Sequence, residues 1–333
     1  MMGWFQYIGG AFLGWSLGAN NSGNVFGTAV ASGMVKYRLA IWLVAAFVAL
    51  GAILQGGPGI ETLSRNLRKQ KPADTDYHAE IAPRKNNALK FAVATSMAAA
   101  ITVTALTILK LPASASQAIV GAIAGVGLLR GDADWAGLGK VLLCWIGTPI
   151  GGMLFTILFY WIFKKILGKW RPSVFEYDPV VRLGLIICGC YGAYALGANN
   201  VANVAAVFVG KDMLTVQQAA VFGAVCIALG AVTYSKPVMT TVGKGIVELD
   251  AFSAFVCVLS QGVAMYIFAL LGVPVSSSQA IVGAAMGIGL IKGVQTVNFK
   301  TLAHVAAGWT ATPLAAGILA AAAYAAANLK YVP

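Results

Sequence analysis

The sequence predicts an all-α polytopic membrane protein in which one structural unit occurs twice. The first observation behind this prediction is composition: 59% of the 333 residues are hydrophobic and 10% are charged, whereas soluble domains carry about 25% charged residues. Six long windows contain no charged residue: 39–57, 92–109, 141–163, 183–209, 252–275 and 305–328. Several of them exceed the roughly 20 apolar residues that a helix needs to cross a bilayer.

The second observation is an internal repeat. Residues 16–35 and 195–214 align with nine of twenty residues identical, and both contain the sequence GANN. Residues 112–131 and 274–293 align with thirteen of twenty identical, and both open with Pro-x-Ser-x-Ser-Gln. Since the pairs occur in the same order, we divide the chain into three parts. They are repeat 1 (1–165, with a polar loop at 61–90), a basic connecting loop (166–180) and repeat 2 (181–333).

This two-copy organisation is typical of secondary transporters, whose substrate site lies between the repeats near the middle of the membrane. The paired motifs are therefore the first place to look for binding residues.

The first motif places three asparagines at positions i, i+1 and i+4 of a strongly apolar run. An asparagine amide is costly in hydrocarbon unless its donors and acceptors find partners. Side chains at i and i+4 share one helix face. Their carbonyl oxygens could ligate a sodium ion, and their NH₂ groups could donate to an anion. The alternative is a polar ladder that only joins helices.

From this motif we predict cation-binding and anion-binding residues. Asn21 and Asn200, the second asparagine of each pair, are predicted to contact the anion. The paired segments 51–62 and 230–241 add a threonine each to the predicted cation site. The predicted cation-binding residues are Asn20, Asn24, Asn199, Asn203, Thr62 and Thr241.

The second motif precedes a short apolar, glycine-containing run in each repeat, at 118–129 and 280–291. About twelve residues make roughly 18 Å of helix, which is too short to span a membrane. We therefore predict a half-helix that begins within the membrane, with the motif serines near its N-cap. Free backbone N–H groups and partial positive charge at such an end form an anion site without Lys or Arg.

The residues predicted to hold the anion at these two ends are Ser114, Ser116, Gln117, Ser276, Ser277, Ser278 and Gln279. A single motif of this kind would more often supply hydrogen bonds between packed helices. Two near-identical copies, each opening a short helix, favour binding over packing.

The net charge of +12 does not indicate nucleic-acid binding. Many basic residues fall in two stretches, 61–90 and 164–182, as expected for cytoplasmic loops of a membrane protein. The five cysteines lie in apolar segments, and the sequence contains no recognisable catalytic triad or metal-ligand spacing. We therefore predict a protein that is not an enzyme and has no cofactor, apart from possible sodium ions.

Together the four motifs resemble those of the inorganic phosphate transporter (PiT) family of cation-coupled symporters. Its signature is Gly-Ala-Asn-Asp-Val-Ala-Asn and Pro-x-Ser-[Ser/Thr]-[Ser/Thr]-[Gln/His] in each half, and the resemblance covers nearly the whole chain. It implies two inverted repeats with discontinuous, re-entrant half-helices and roughly 10–12 membrane segments. It also implies phosphate bound between the half-helix ends, sodium- or proton-coupled symport by alternating access, a location in the cell membrane and a homodimer.

Three of the chain's departures from the family pattern bear on the predicted binding residues. Asn21 and Asn200 stand where the family has aspartate, and Ala115 stands where a hydroxyl is usual. All eleven acidic residues lie outside the four motifs, and of them only Glu61 is placed to reach a transport path. Without carboxylates, cation sites are expected to be weaker or fewer.

The same departures leave two alternatives to phosphate symport. Sulfate has no proton to donate, so an asparagine NH₂ suits it better than a carboxylate does, and the family also includes sulfate permeases. The second alternative is a channel rather than a transporter: an uncoupled anion channel, which needs no cation site.

Overall fold

The computed structural model describes residues 4–69, 81–109, 113–133, 135–170, 173–210, 212–242, 249–273 and 275–329. These residues form twelve α-helices. In repeat 1 they are α1 (Ile8–Ala31), α2 (Tyr37–Gln55), α3 (Gly57–Lys69), α4 (Ile81–Ile108), α5 (Ala115–Arg130) and α6 (Trp135–Trp170). In repeat 2 they are α7 (Val174–Gly210), α8 (Val216–Tyr234), α9 (Lys236–Val242), α10 (Ala251–Leu270), α11 (Ser277–Lys292) and α12 (Phe299–Leu329).

Seven helices within the described ranges are long and apolar enough to cross a membrane: α2, α4, α6, α7, α8, α10 and α12. The expectation of an all-α polytopic membrane protein is thereby confirmed. Large apolar side chains such as Trp42, Leu143 and Ile318 are exposed on the outer face of the helices, where hydrocarbon would cover them.

Helix contacts in one repeat recur in the other with the two repeats exchanged. Helix α1 packs against α4 and α8, and its counterpart α7 packs against α10 and α2. Half-helix α5 packs against α12, and its counterpart α11 packs against α6. Each repeat therefore completes the packing of the other, and α1 and α7 lie where the two repeats meet.

The two central helices, α1 and α7, cross in opposite directions. Near the start of α1, a Cβ on Gly10 would contact the ring of Phe208. Near its end, Val25 lies against Gly192. Residue numbers rise along α1 while they fall along α7, so equivalent helices point opposite ways. The two repeats have the inverted arrangement that the family resemblance implies.

Glycines of the first motif permit the close approach of helices from different repeats. A Cβ on Gly18 would lie 1.9 Å from the carbonyl oxygen of Ile227 in α8. The equivalent atom on Gly197 would lie 2.0 Å from the carbonyl oxygen of Val48 in α2. Small residues that let backbones touch are the usual means of packing helices in membranes.

The half-helices begin where the sequence predicts. Ser114 caps α5 and Ser276 caps α11, each accepting a 3.3 Å hydrogen bond from the backbone N–H of the motif glutamine, Gln117 or Gln279. Both helices have 16 residues, or roughly 24 Å of rise, which is less than the hydrocarbon thickness of about 30 Å.

The opposite ends of the half-helices carry a basic residue, which suits the negative end of the helix dipole. Arg130 pairs with Asp132 at 2.9 Å, and Lys292 pairs with Asp250 just before α10. Burial raises the pKa of Asp250, but its hydrogen bonds, the one with Lys292 first among them, and the charge of that lysine together lower the pKa overall.

The stretch expected as a connecting loop, 166–180, is mostly helical instead. Helix α6 continues to Trp170 and α7 begins at Val174. The Lys164 ammonium lies 5.0 Å from the ring centroid of Trp161, as a lysine does when its stem lies along an apolar helix and its charge reaches the interface. Such residues let a helix extend past its apolar run. The division of the chain into two repeat domains otherwise stays a prediction.

Candidate functional site

The two GANN motifs lie in the middle of the crossing between α1 and α7. They fall between the contact of Gly10 with Phe208 and that of Val25 with Gly192. The six motif asparagines are at most 2% exposed. Amides at this depth must be paired within the protein or be available to a ligand.

The α1 asparagines join three helices. Asn20 Nδ2 donates to Thr107 Oγ1 in α4 at 2.8 Å. Asn24 Nδ2 donates to Ser277 Oγ in the first turn of α11 at 3.0 Å, and more weakly to Asn21 Oδ1 at 3.4 Å. The first motif therefore contacts the half-helix of the other repeat.

Asn199 of α7 holds the segment that leads into the same half-helix. Asn199 donates through Nδ2 to the carbonyl of Val273 at 3.0 Å and accepts through Oδ1 from the N–H of Val275 at 3.1 Å. This bidentate contact holds the backbone on both sides of position 274. The start of α11 therefore lies in the angle between α1 and α7.

The rest of the second asparagine motif is bonded within its own helix. Asn203 Nδ2 donates to Asn200 Oδ1 at 3.0 Å, and Asn200 Nδ2 donates to the carbonyl of Leu196 at 3.1 Å. Half-helix α5 packs against α7 as α11 packs against α1. At the position of Ser277, however, α5 has Ala115, and no hydroxyl is there to meet Asn203.

All seven motif residues of the two half-helix ends are at most 3% exposed. Within the ends, Ser114 and Ser116 lie 3.3 Å apart, and Ser276 and Ser278 lie 2.9 Å apart, oxygen to oxygen. Neither helix has an acidic residue in its first turn. Buried N–H groups, hydroxyls and the positive ends of two helix dipoles form a setting that favours an anion.

Four buried amide oxygens around this setting have no hydrogen-bond partner among the described residues. They form two pairs of repeat equivalents: Asn24 Oδ1 with Asn203 Oδ1, and Gln117 Oε1 with Gln279 Oε1. Leaving such a group unpaired costs about 1–3 kcal/mol. These oxygens recur in both repeats and are available as acceptors, either to ligate a cation or to accept a hydrogen bond from a hydroxyl group.

The remaining predicted residues lie at the edge of this region. Thr62 is half-buried in α3, and its Oγ1 would lie 2.7 Å from a Cβ on Gly272, so it faces the connection between α10 and α11. Glu61 is exposed. Thr241 belongs to α9, but its side chain lies outside the described part of the chain.

Thr107 contacts the first asparagine motif through Asn20 but was not predicted from the sequence. Its repeat counterpart is Ala269, so the internal repeat gives no signal for it. A cavity of about 200 Å³ lies beside it, between α1, α4 and α8. The cavity is lined by Trp15, Ser16, Ala19, Thr104, Thr107, Ile108 and Tyr234. It adjoins the Asn20 side of the crossing rather than the serine ends of the half-helices.

Comparisons with known proteins point in one direction. The model of the phosphate transporter family matches residues 17–320. "Putative phosphate permease MJ0630" of Methanocaldococcus jannaschii is 30% identical over 308 residues, which cover 92% of each chain. A Pyrococcus furiosus protein of the same description is 28% identical over 394 residues, 93% of this chain and 92% of its own.

A solved structure shares the fold. It is described as the sodium-dependent phosphate transporter and matches with a TM-score of 0.82 over 98% of both chains. Sequence identity to it is 20%, so this likeness concerns the arrangement of helices.

Proposed function

This chain belongs to the phosphate transporter family, and from that premise we propose that it is a cation-coupled symporter that carries inorganic phosphate by alternating access. It is a multi-pass membrane transport protein and not an enzyme. We place it in the cell membrane and expect a homodimer.

The observation that carries the proposal is the combination of two buried half-helix starts with paired, unpartnered amide oxygens. At neutral pH phosphate presents charged oxygens and also carries at least one proton. Backbone N–H groups and the hydroxyls of Ser116 and Ser278 can donate to the charged oxygens. The free oxygens of Gln117 and Gln279 can accept from a P–OH group.

The same oxygens favour phosphate over sulfate as the substrate. Sulfate offers no hydrogen-bond donor, so it would leave acceptor oxygens unpaired in a dry site. The absence of a carboxylate from the motifs does not require sulfate, because neutral amide oxygens can take the acceptor role that an aspartate would have had.

Coupling is proposed to use the asparagine motifs. The free oxygens of Asn24 and Asn203 are hard, neutral ligands of the kind that alkali and alkaline-earth cations prefer. Asn20, Asn199, Thr62 and Thr241 are proposed to complete the cation sites. Because these ligands carry no charge, the bound anion itself supplies the negative charge that holds the cation.

Uptake into liposomes tests this function. Purified protein would be reconstituted, and labelled phosphate and labelled sulfate uptake compared under an inward sodium gradient, an inward proton gradient and no gradient. We expect saturable phosphate uptake that rises with a cation gradient and that sulfate inhibits poorly. Sulfate uptake that resists excess phosphate would show that sulfate, and not phosphate, is the substrate. Uptake that follows membrane potential alone would favour a channel.

A further inference from the structure

A glutamine outside the four motifs has an unusual environment. Gln261 in α10 is 1% exposed, and neither Oε1 nor Nε2 has a hydrogen-bond partner in the described structure. Each of the six motif asparagines, by contrast, makes at least one side-chain hydrogen bond. An amide with both donor and acceptor unused in a membrane interior is costly, which suggests that a ligand completes it.

The packing of α10 places Gln261 beside the start of α11. Met265, one turn later on the same helix face, lies in a buried cluster with Val275 and Ala280. Cys257, one turn earlier, lies in a buried cluster with Ile281. Since residues four apart share a helix face, Gln261 lies level with the first turn of α11.

The same cluster connects Gln261 to the second asparagine motif. Ala195 of α7 packs with Met265, and Ala195 lies one helical turn before Asn199. Next to Gln261, Gly262 lies against the Tyr191 ring in α7. Gln261 therefore lies between α7 and the start of α11, close to the segment before α11 that Asn199 holds through Val273 and Val275.

Gln261 has no polar counterpart in repeat 1. With the alignment that pairs Ser277 and Ala115, Gln261 pairs with Ala99, which is fully buried. Around the start of α11, repeat 2 thus carries a hydroxyl (Ser277) and an amide (Gln261) where repeat 1 has Ala115 and Ala99. The two halves of the site are chemically unequal.

We propose that Gln261 contacts the transported anion at the start of α11 and distinguishes a protonated oxyanion from a fully ionised one. Its Nε2 donates to a charged oxygen, and its Oε1 accepts from a P–OH group. A fully ionised tetrahedral anion satisfies only the first of these bonds. This inference rests on the proposed phosphate transport and adds a specificity residue that the motifs do not contain.

The test compares Gln261→Met, which keeps the length of the side chain, with Ser260→Ala as the matched control. The Ser260 hydroxyl is equally buried but donates to the Val256 carbonyl of its own helix at 2.7 Å. In liposomes, we expect Gln261→Met to raise the KM for phosphate at least about tenfold, because both hydrogen bonds of the amide to the anion are lost. The maximal rate should stay within about twofold, and sulfate should become a relatively better inhibitor. Ser260→Ala should match the wild type.

A second readout separates binding from structure. In detergent without phosphate, Gln261→Met should unfold at the wild-type temperature or above, because an unpaired amide has been removed. Added phosphate should raise that temperature less than it does in the wild type. An unchanged KM and an unchanged phosphate response would overturn the proposal. So would loss of folding in both Gln261→Met and Gln261→Ala, because Gln261 would then be a structural residue.

The outcomes also separate this inference from the proposed function. Wild-type protein that transports phosphate while Gln261→Met behaves identically refutes the inference alone. Wild-type protein that neither transports nor binds phosphate refutes both.

Discussion

At the scale of single residues, Asn21 and Asn200 act as acceptors for the asparagine three positions later. Asn21 Oδ1 accepts from Asn24, and Asn200 Oδ1 accepts from Asn203. An aspartate at either position would keep this contact and add a negative charge in a dry environment. The difference between this chain and its family's signature is therefore one of charge rather than of geometry.

Restoring both carboxylates should strengthen cation coupling. In Asn21→Asp combined with Asn200→Asp, we expect the sodium concentration that half-saturates phosphate uptake to fall about tenfold, because a charged ligand holds a cation more tightly. Sulfate inhibition should weaken, since the new charges repel it. Sodium-dependent uptake kinetics in liposomes provide the measurement. Unchanged cation dependence in the folded double variant would show that these positions take no part in coupling.

Ser277 in α11 and Ala115 in α5 are repeat equivalents that differ by one hydroxyl group. Ser277→Ala removes the hydroxyl that accepts from Asn24, and we expect it to raise the KM for phosphate about tenfold. Adding Ala115→Ser places a hydroxyl at the equivalent position opposite Asn203 and should recover part of the loss, because the helices around both positions are related by the repeat. Uptake kinetics of the single and double variants check this. If the double variant did not recover affinity for phosphate, only repeat 2 would contribute to phosphate binding through this position.

At the scale of helices, the half-helices depend on glycine contacts with proline-containing helices. A Cβ on Gly283 would lie 2.0 Å from the carbonyl oxygen of Pro149 in α6, and one on Gly121 would lie 2.3 Å from that of Pro313 in α12. Backbone cannot yield as a flexible side chain can. The ends that are proposed to hold the anion are therefore positioned by contacts deeper in the half-helices.

Gly283→Ala should destabilise the protein, and Gly147→Ala should not. The first substitution overpacks a backbone contact and should cost about 1–3 kcal/mol. The second lies in α6 with no atom within 4 Å of the new Cβ, so it should stabilise by up to about 1 kcal/mol through helix propensity. Thermal unfolding in detergent measures both. Equal behaviour of the two variants would contradict the close packing of α11 on α6.

The sequence predicts much at this scale because its signals are local. A serine after proline, followed by a short apolar run, predicts where α5 and α11 begin, and the N-cap bonds of Ser114 and Ser276 confirm it. The prediction of a loop at 166–180 was wrong, since α6 continues to Trp170 and α7 begins at Val174. Lysines spaced among aromatic residues continue a helix beyond its apolar run.

At the scale of the whole molecule, the contacts between residues of different repeats could not be predicted from the sequence. The bond between Asn24 and Ser277 joins residues 253 positions apart, and nothing in either motif indicates its partner. Thr107 and Gln261 have alanines as their repeat counterparts, so the comparison of the two halves that reveals the motifs does not reveal them. The roles assigned to the motif residues stay predictions.

From the inverted arrangement we also predict that both repeats contribute to one anion site. Each half-helix packs against helices of the other repeat, and the two asparagine motifs hold the start of α11 from both sides. A shared site should bind one phosphate per chain, and it should lose affinity when either half is altered.

Equilibrium dialysis of labelled phosphate against the purified protein tests this claim most directly, with Ser116→Ala and Ser278→Ala as the paired variants. We predict one phosphate per chain in the wild type and a loss of affinity of about tenfold in each variant, from one lost hydrogen bond. Two phosphates per chain, or a loss of affinity in only one of the two variants, would contradict a site shared by the repeats.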